Sequence, residues 1–174
     1  SVGRFYKHDS PYTYFSSPEL HLGEISLECS RPGAAATALW ATMQMMPLMP
    51  GGEFAKGLEA SRRAALTFYE RICQDPKFRV LFVPELDIVV WAPQGDKAST
   101  ISKRSREIFK KASDKNLHVA IFQHSCKNLT DIWPDILYDQ DTVTLLRACF
   151  MKPEHDQWID AICQILNMTA EEPY

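Results

Sequence analysis

The stretch Phe78-Arg79-Val80-Leu81-Phe82-Val83-Pro84-Glu85-Leu86-Asp87-Ile88-Val89-Val90-Trp91-Ala92 decides the fold class. Two short runs rich in β-branched and aromatic residues flank Pro84-Glu85, and each is too short for a helix. They read as strands over residues 78–83 and 87–92. Downstream, Ile101, Ile108, Phe109 and Ala112 recur at helical spacing and predict a helix over 99–113. Residues 118–123 and 142–151 read as two further strands. Between them, residues 125–141 form a long loop containing Trp133-Pro134. Pro153 opens a last helix, with Trp158, Ile159, Ile162 and Ile165 or Leu166 turned inward. The order strand, strand, helix, strand, strand, helix describes a two-layer α+β unit, one sheet with helices on one side.

Upstream, Phe54, Leu58, Ala65, Tyr69 and Ile72 mark the apolar face of a helix, with Lys56, Glu59, Arg63 and Glu70 on its other faces. Asp75-Pro76 ends it. Residues before about 75 are expected to lie outside the sheet layer. Earlier still, Ala34 to Met46 is apolar almost all round, the pattern of a helix buried on most sides. That burial is expected inside something larger or against another subunit. Pro47, Pro50 and Gly51-Gly52 stop this helix. Residues 1–30 are irregular, and the aromatics in Pro11-Tyr12-Thr13-Tyr14-Phe15 argue against a plain linker.

Composition narrows the function classes. The chain has 174 residues, 45% hydrophobic and 24% charged, with a formal net charge of −3. That is ordinary globular composition for about one domain. A slightly acidic chain with scattered Lys and Arg does not carry the basic face that nucleic acid requires. No apolar run reaches ~18 residues, so no membrane span is expected. The five cysteines, Cys29, Cys73, Cys126, Cys149 and Cys163, show no CxxC spacing. An odd, dispersed set argues against a disulfide framework or a zinc site, and points to a reducing, cytoplasmic setting.

Four features carry candidate chemistry. Ser30-Arg31-Pro32-Gly33 stands at a helix start, where free N–H groups and the helix dipole suit a phosphate or carboxylate. The alternative is that Ser30 only caps the helix and Arg31 pairs with a surface acid. Arg147 sits within the apolar strand Val143-Thr144-Leu145-Leu146-Arg147-Ala148-Cys149-Phe150. Such a charge needs a partner, which is either a structural salt bridge or a bound carboxylate. Tyr12 and Tyr14, on one loop, are either packing residues or proton donors that act when the loop closes. Cys29 is either an activated thiol beside the helix start or an inert buried one. Taken alone, these residues describe an anion-binding α+β domain.

The set also resembles a known family. Leu27-Glu28-Cys29-Ser30-Arg31-Pro32-Gly33-Ala34 followed by Leu39-Trp40 resembles the C-terminal part of the pyridoxal-phosphate-dependent group II amino-acid decarboxylases, which include aromatic-amino-acid, glutamate and tyrosine decarboxylases. The Ser-Arg-Pro-Gly element is also similar to that of the sphingosine-phosphate lyases. Gln74-Asp75-Pro76-Lys77-Phe78, Leu86-Asp87-Ile88-Val89-Val90-Trp91 and Leu146-Arg147-Ala148-Cys149-Phe150 fall at the family's spacings. The resemblance implies a fold-type I enzyme. Residues 1–50 would end its large cofactor-binding domain, 51–75 would be a connecting helix, and 76–174 the small C-terminal α+β domain.

It further implies a homodimer with the active site at the interface, a small amino-acid substrate and pyridoxal 5'-phosphate. By match, Tyr14 falls on the catalytic-loop tyrosine that protonates the substrate carbon, with Tyr12 as the other candidate. Ser30 and Arg31 would contact the cofactor end of the site, and Arg147 would be structural or face the substrate carboxylate. The family's Schiff-base lysine lies in a His-Lys motif, and no His-Lys occurs in this chain. The chain is therefore expected to be the last third of such an enzyme, inactive alone, with an N-terminal cofactor-binding segment as its partner. The competing expectations are a non-enzymatic binding or dimerisation module, an inactive subunit, or a cofactor-dependent aldehyde-lyase.

Overall fold

The computed structural model describes residues 33–171. The chain divides into two compact units, 1–47 and 48–174. The described part of the first unit is helix α1, Gly33–Met45. Its residues include Leu39, Trp40, Met43 and Met45, exposed by 62%, 64%, 42% and 80%. No residue of α1 is buried, so the burial its all-round apolar character demands is not met within the described residues.

The second unit begins with α2, Glu53–Gln74, and continues through β1, Phe78–Val80, and β2, Ile88–Pro93. Helix α3, Ala98–Asp114, then β3, Ala120–Ser125, and β4, Thr142–Cys149, precede the final helix α4, Ile159–Glu171. The strands form one antiparallel sheet in the order β1-β2-β4-β3. The sequential order of strands and helices over 78–171 is the one the periodicity predicts. The first strand is shorter, Phe78–Val80, although the Leu81 N–H still donates to the Val90 carbonyl at 3.0 Å.

Side chains alternate across a strand, and the sheet divides its residues accordingly. Val89, Trp91 and Leu146 join a core with Ala64, Ala65, Phe68 and Ile72 of α2, Ile108 of α3, and Ile159 and Leu166 of α4. The connecting helix is therefore part of the layer, contrary to the expectation that residues before 75 stand outside it. Phe68 is its main anchor, fully buried with its ring 5.0 Å from Trp91 and 5.2 Å from Phe150. Burying such a side chain is worth about 1.5–3 kcal/mol. Phe54 and Leu58, near the start of the helix, stay outside the core and are 39% and 57% exposed.

The odd-and-even partners Val90, Ala92, Val143 and Leu145 join a second core with Ala98 and Ile101 of α3 and Cys126, Leu129, Trp133 and Ile136. The sheet is thus covered on both faces. The second cover is the 126–138 segment, which the sequence reads only as a long loop. Trp133 Nε1–H donates to the Val80 carbonyl at 3.1 Å, and the single O–H of Tyr138 is shared between the Leu129 and Trp133 carbonyls, 2.9 and 2.8 Å away.

Local chemistry sets the joints. Gly95 must be glycine, since a Cβ there would lie 2.8 Å from Ile101 Cγ1. The N-terminus of α3 is capped from a distance, with the Asp139 carboxylate accepting from the Ser99 N–H at 2.9 Å. Asn116 ends α3 in the left-handed region, φ 61°, and Leu117 N–H reaches Ala112 O at 2.8 Å. Residues 153–157 form a 3-10 turn before α4, so Trp158 stands at the cap and is 61% exposed rather than inward.

Candidate functional site

Four of the sequence-predicted site residues, Tyr12, Tyr14, Ser30 and Arg31, lie outside the described residues, as does Cys29. The fifth, Arg147, is placed. It sits half-buried in β4, opposite Val90 of β2 and Ala120 of β3. Its Nε is buried and has no hydrogen-bond partner, and no salt bridge to it is formed among the described residues. The structural salt bridge that would have explained Arg147 is therefore not what holds it.

Arg147 borders a pocket of about 260 Å³ at the end of the sheet. Strand alternation sets its side chain on the Val90 face, whereas Trp91, Ala148 and Phe68 wall the pocket from the helix face. Phe150 and His155 close it, their rings 5.8 Å apart and edge-on. Two nitrogens of this lining are buried without a partner, Trp91 Nε1 and His155 Nδ1. Buried polar atoms are nearly always satisfied, so each such atom calls for an explanation. His118, on the segment leading into β3, lines the pocket too, and no Asp or Glu does.

Sequence reasoning missed Trp91 and His155. Trp91 carried a usable signal, since an indole N–H in a fully apolar strand needs an acceptor when buried. His155 carried none, because Pro153-Glu154-His155 reads as an ordinary helix start.

The shifted titratable groups belong to structural pairs rather than to this pocket. The Arg79 guanidinium, hydrogen-bonded to Asp135, holds that carboxyl below its usual value. Hydrogen bonds from Ser99 do the same for Asp139. Burial pushes the Cys126 and Cys163 thiols up and, with the nearby acids, leaves them poor nucleophiles. The four described cysteines are free. Among the described residues no group of three His, Cys, Asp or Glu could hold a metal ion, and no helix is long and apolar enough to cross a membrane.

No protein-family model and no curated protein sequence matches the chain. Solved structures do match its fold. A Rhodiola rosea 4-hydroxyphenylacetaldehyde synthase superposes with a TM-score of 0.64 at 14% identity, over 86% of this chain and 28% of its own. Mouse CSAD in its apo form gives 0.61 at 14% identity, over 94% of this chain and 33% of its own. Oryza sativa TDC, crystallised with PLP and tryptamine, gives 0.58 at 12% identity, over 76% and 25%. The chain spans a quarter to a third of the length of these proteins. Its fold is that of a portion of such chains.

Proposed function

We propose that the chain is the C-terminal portion of a pyridoxal-phosphate-dependent enzyme that decarboxylates an L-amino acid. The observation that carries the reading is the coincidence of two independent likenesses. One is in sequence, at Ser30-Arg31-Pro32-Gly33 and the strands that follow; the other is in fold, over 86% and 94% of the chain for two of the neighbours.

The described residues do not by themselves fit the cofactor, since no lysine borders the pockets lined by Arg71 and Cys163, by Trp91 and His155, or by Leu58 and Arg62. In this reading the lysine anchor comes from another segment of the enzyme. This chain's share is made by its own side chains. Tyr14, or Tyr12 beside it, gives a proton to the substrate carbon when its loop closes. Ser30 and Arg31 hold a phosphate or carboxylate at the start of α1. Arg147 stands as a fixed positive charge toward a carboxylate. Helix α1, apolar all round and exposed in this chain, is the surface a second subunit or the large domain would cover.

The test is made on the native protein. Its polypeptide mass is measured, and release of carbon dioxide and amine from a panel of L-amino acids is assayed with pyridoxal phosphate added. A native polypeptide of 19.9 kDa that acts with no partner chain and releases no carbon dioxide overturns the proposal.

A further inference from the structure

On the decarboxylase reading proposed above, we infer that one end of the sheet layer, where α2 meets the turn joining β1 to β2, is a docking seam for the N-terminal, cofactor-binding portion of the enzyme. Leu58 of α2, Phe82, Val83 and Leu86 of the turn, and Ile88 at the start of β2 are 42–71% exposed. Apolar side chains exposed singly need no explanation, but five gathered on one helix end and one turn mark a surface that something covers. Leu58 and Leu86 line a single groove of about 280 Å³. The groove is preformed, which lowers the ordering cost of docking. Arg62 Nε donates to the Glu85 carbonyl at 3.0 Å, and the Asp87 carbonyl accepts from the Phe150 N–H at 2.8 Å, so α2 and the end of β4 both hold the turn.

Three observations choose the occupant. The superpositions take in 86% and 94% of this chain but only 28% and 33% of the two matched chains, so most of such a polypeptide lies outside it. Whatever precedes the sheet layer joins it at Glu53, and Leu58 stands only about 7.5 Å along the helix axis from that entry point. The charges around the groove are Glu59 and Asp87 of its lining and Glu85 of the turn, against Arg62 alone. Two copies of this chain set face to face would therefore oppose like charges, which disfavours a self-association there. The complementary surface has an apolar centre and a basic rim, and the cofactor-binding portion supplies it.

Backbone hydrogen exchange tests the seam. The N–H groups of Phe82 and Val83 donate no hydrogen bond among the described residues, so in the 174-residue chain they are expected to exchange fast. In the native polypeptide they are expected to exchange at least about tenfold more slowly. Leu86→Asp, or Leu58→Asp as the second variant, is expected to restore fast exchange there while leaving the melting temperature of the 174-residue chain unchanged, since both side chains are exposed. Leu137→Asp is the control, because Leu137 is 58% exposed and bonds Asp96 beyond the far end of β2. Equal exchange in a longer native polypeptide overturns the seam and leaves the decarboxylase reading standing. A native polypeptide of only 174 residues overturns both. Slowing that grows with protein concentration assigns the groove to a second copy, and slow exchange already in the 174-residue chain assigns it to residues 1–47; either result overturns the inference. Protection lost equally in Leu137→Asp, or kept in both seam variants, overturns it as well.

Discussion

The guanidinium of Arg79 lies 5.3 Å from the centre of the Trp133 ring, joining β1 to the segment that covers the second face of the sheet. Asp135 completes the clasp at 3.0 Å, and Gln94 accepts from Arg79 Nε at 2.9 Å while donating to the Phe78 carbonyl. This cluster turns 126–138 from a loop into a wall of the core.

Arg79→Ala is therefore expected to cost about 1–3 kcal/mol, because it frees Gln94 and Asp135 and uncovers Trp133. Asp135→Asn costs less than about 1 kcal/mol, since that carboxylate is mostly exposed. The carboxyl titrates below its unfolded value, so its contribution is present above about pH 3.9 and is lost as pH falls through the folded value. Urea melts of both proteins at pH 7 and pH 3 check this. A gap between wild type and Asp135→Asn that fails to shrink at pH 3 contradicts the assignment.

Phe68→Ala is expected to cost about 3–5 kcal/mol. The ring is fully buried and touches Trp91 and Phe150 at once, so its removal leaves a void between α2 and the sheet. Thermal melting of the variant measures the loss; a change below about 1 kcal/mol would mean that α2 is not anchored here.

Arg147→Met separates a structural arginine from a ligand-facing one. The buried Nε has no partner, so replacement by an apolar side chain of similar length is expected to change stability by less than about 1 kcal/mol or to stabilise. In the intact enzyme, the same change is expected to lower kcat/KM roughly tenfold to a hundredfold if the guanidinium meets a substrate carboxylate. Unchanged kcat/KM removes Arg147 from the proposed site.

Tyr14→Phe in the intact enzyme is expected to lower kcat by about 10²–10⁴ with substrate binding kept. Arg31→Ala is expected to weaken the cofactor or raise KM about tenfold or more. Steady-state kinetics and cofactor titration read both. Full turnover in Tyr14→Phe transfers the proton-donor role to Tyr12 or away from this loop.

The linear pattern by itself determined the order of elements from Phe78 to the final helix, because period-two and period-3.6 apolar spacing is local and survives without tertiary information. It also exposed Arg147 as a charge out of place in a strand. Tertiary structure alone decided three things. It made α2 a wall of the core, since which neighbour an amphipathic face meets is not written in its spacing. It folded 126–138 over the sheet through side-chain hydrogen bonds between residues distant in sequence, such as Trp133 to Val80. It also set Trp91 and His155, 64 positions apart by subtraction of their numbers, on one cavity. Burial is a property of the packed chain, and only burial makes their unpaired nitrogens costly.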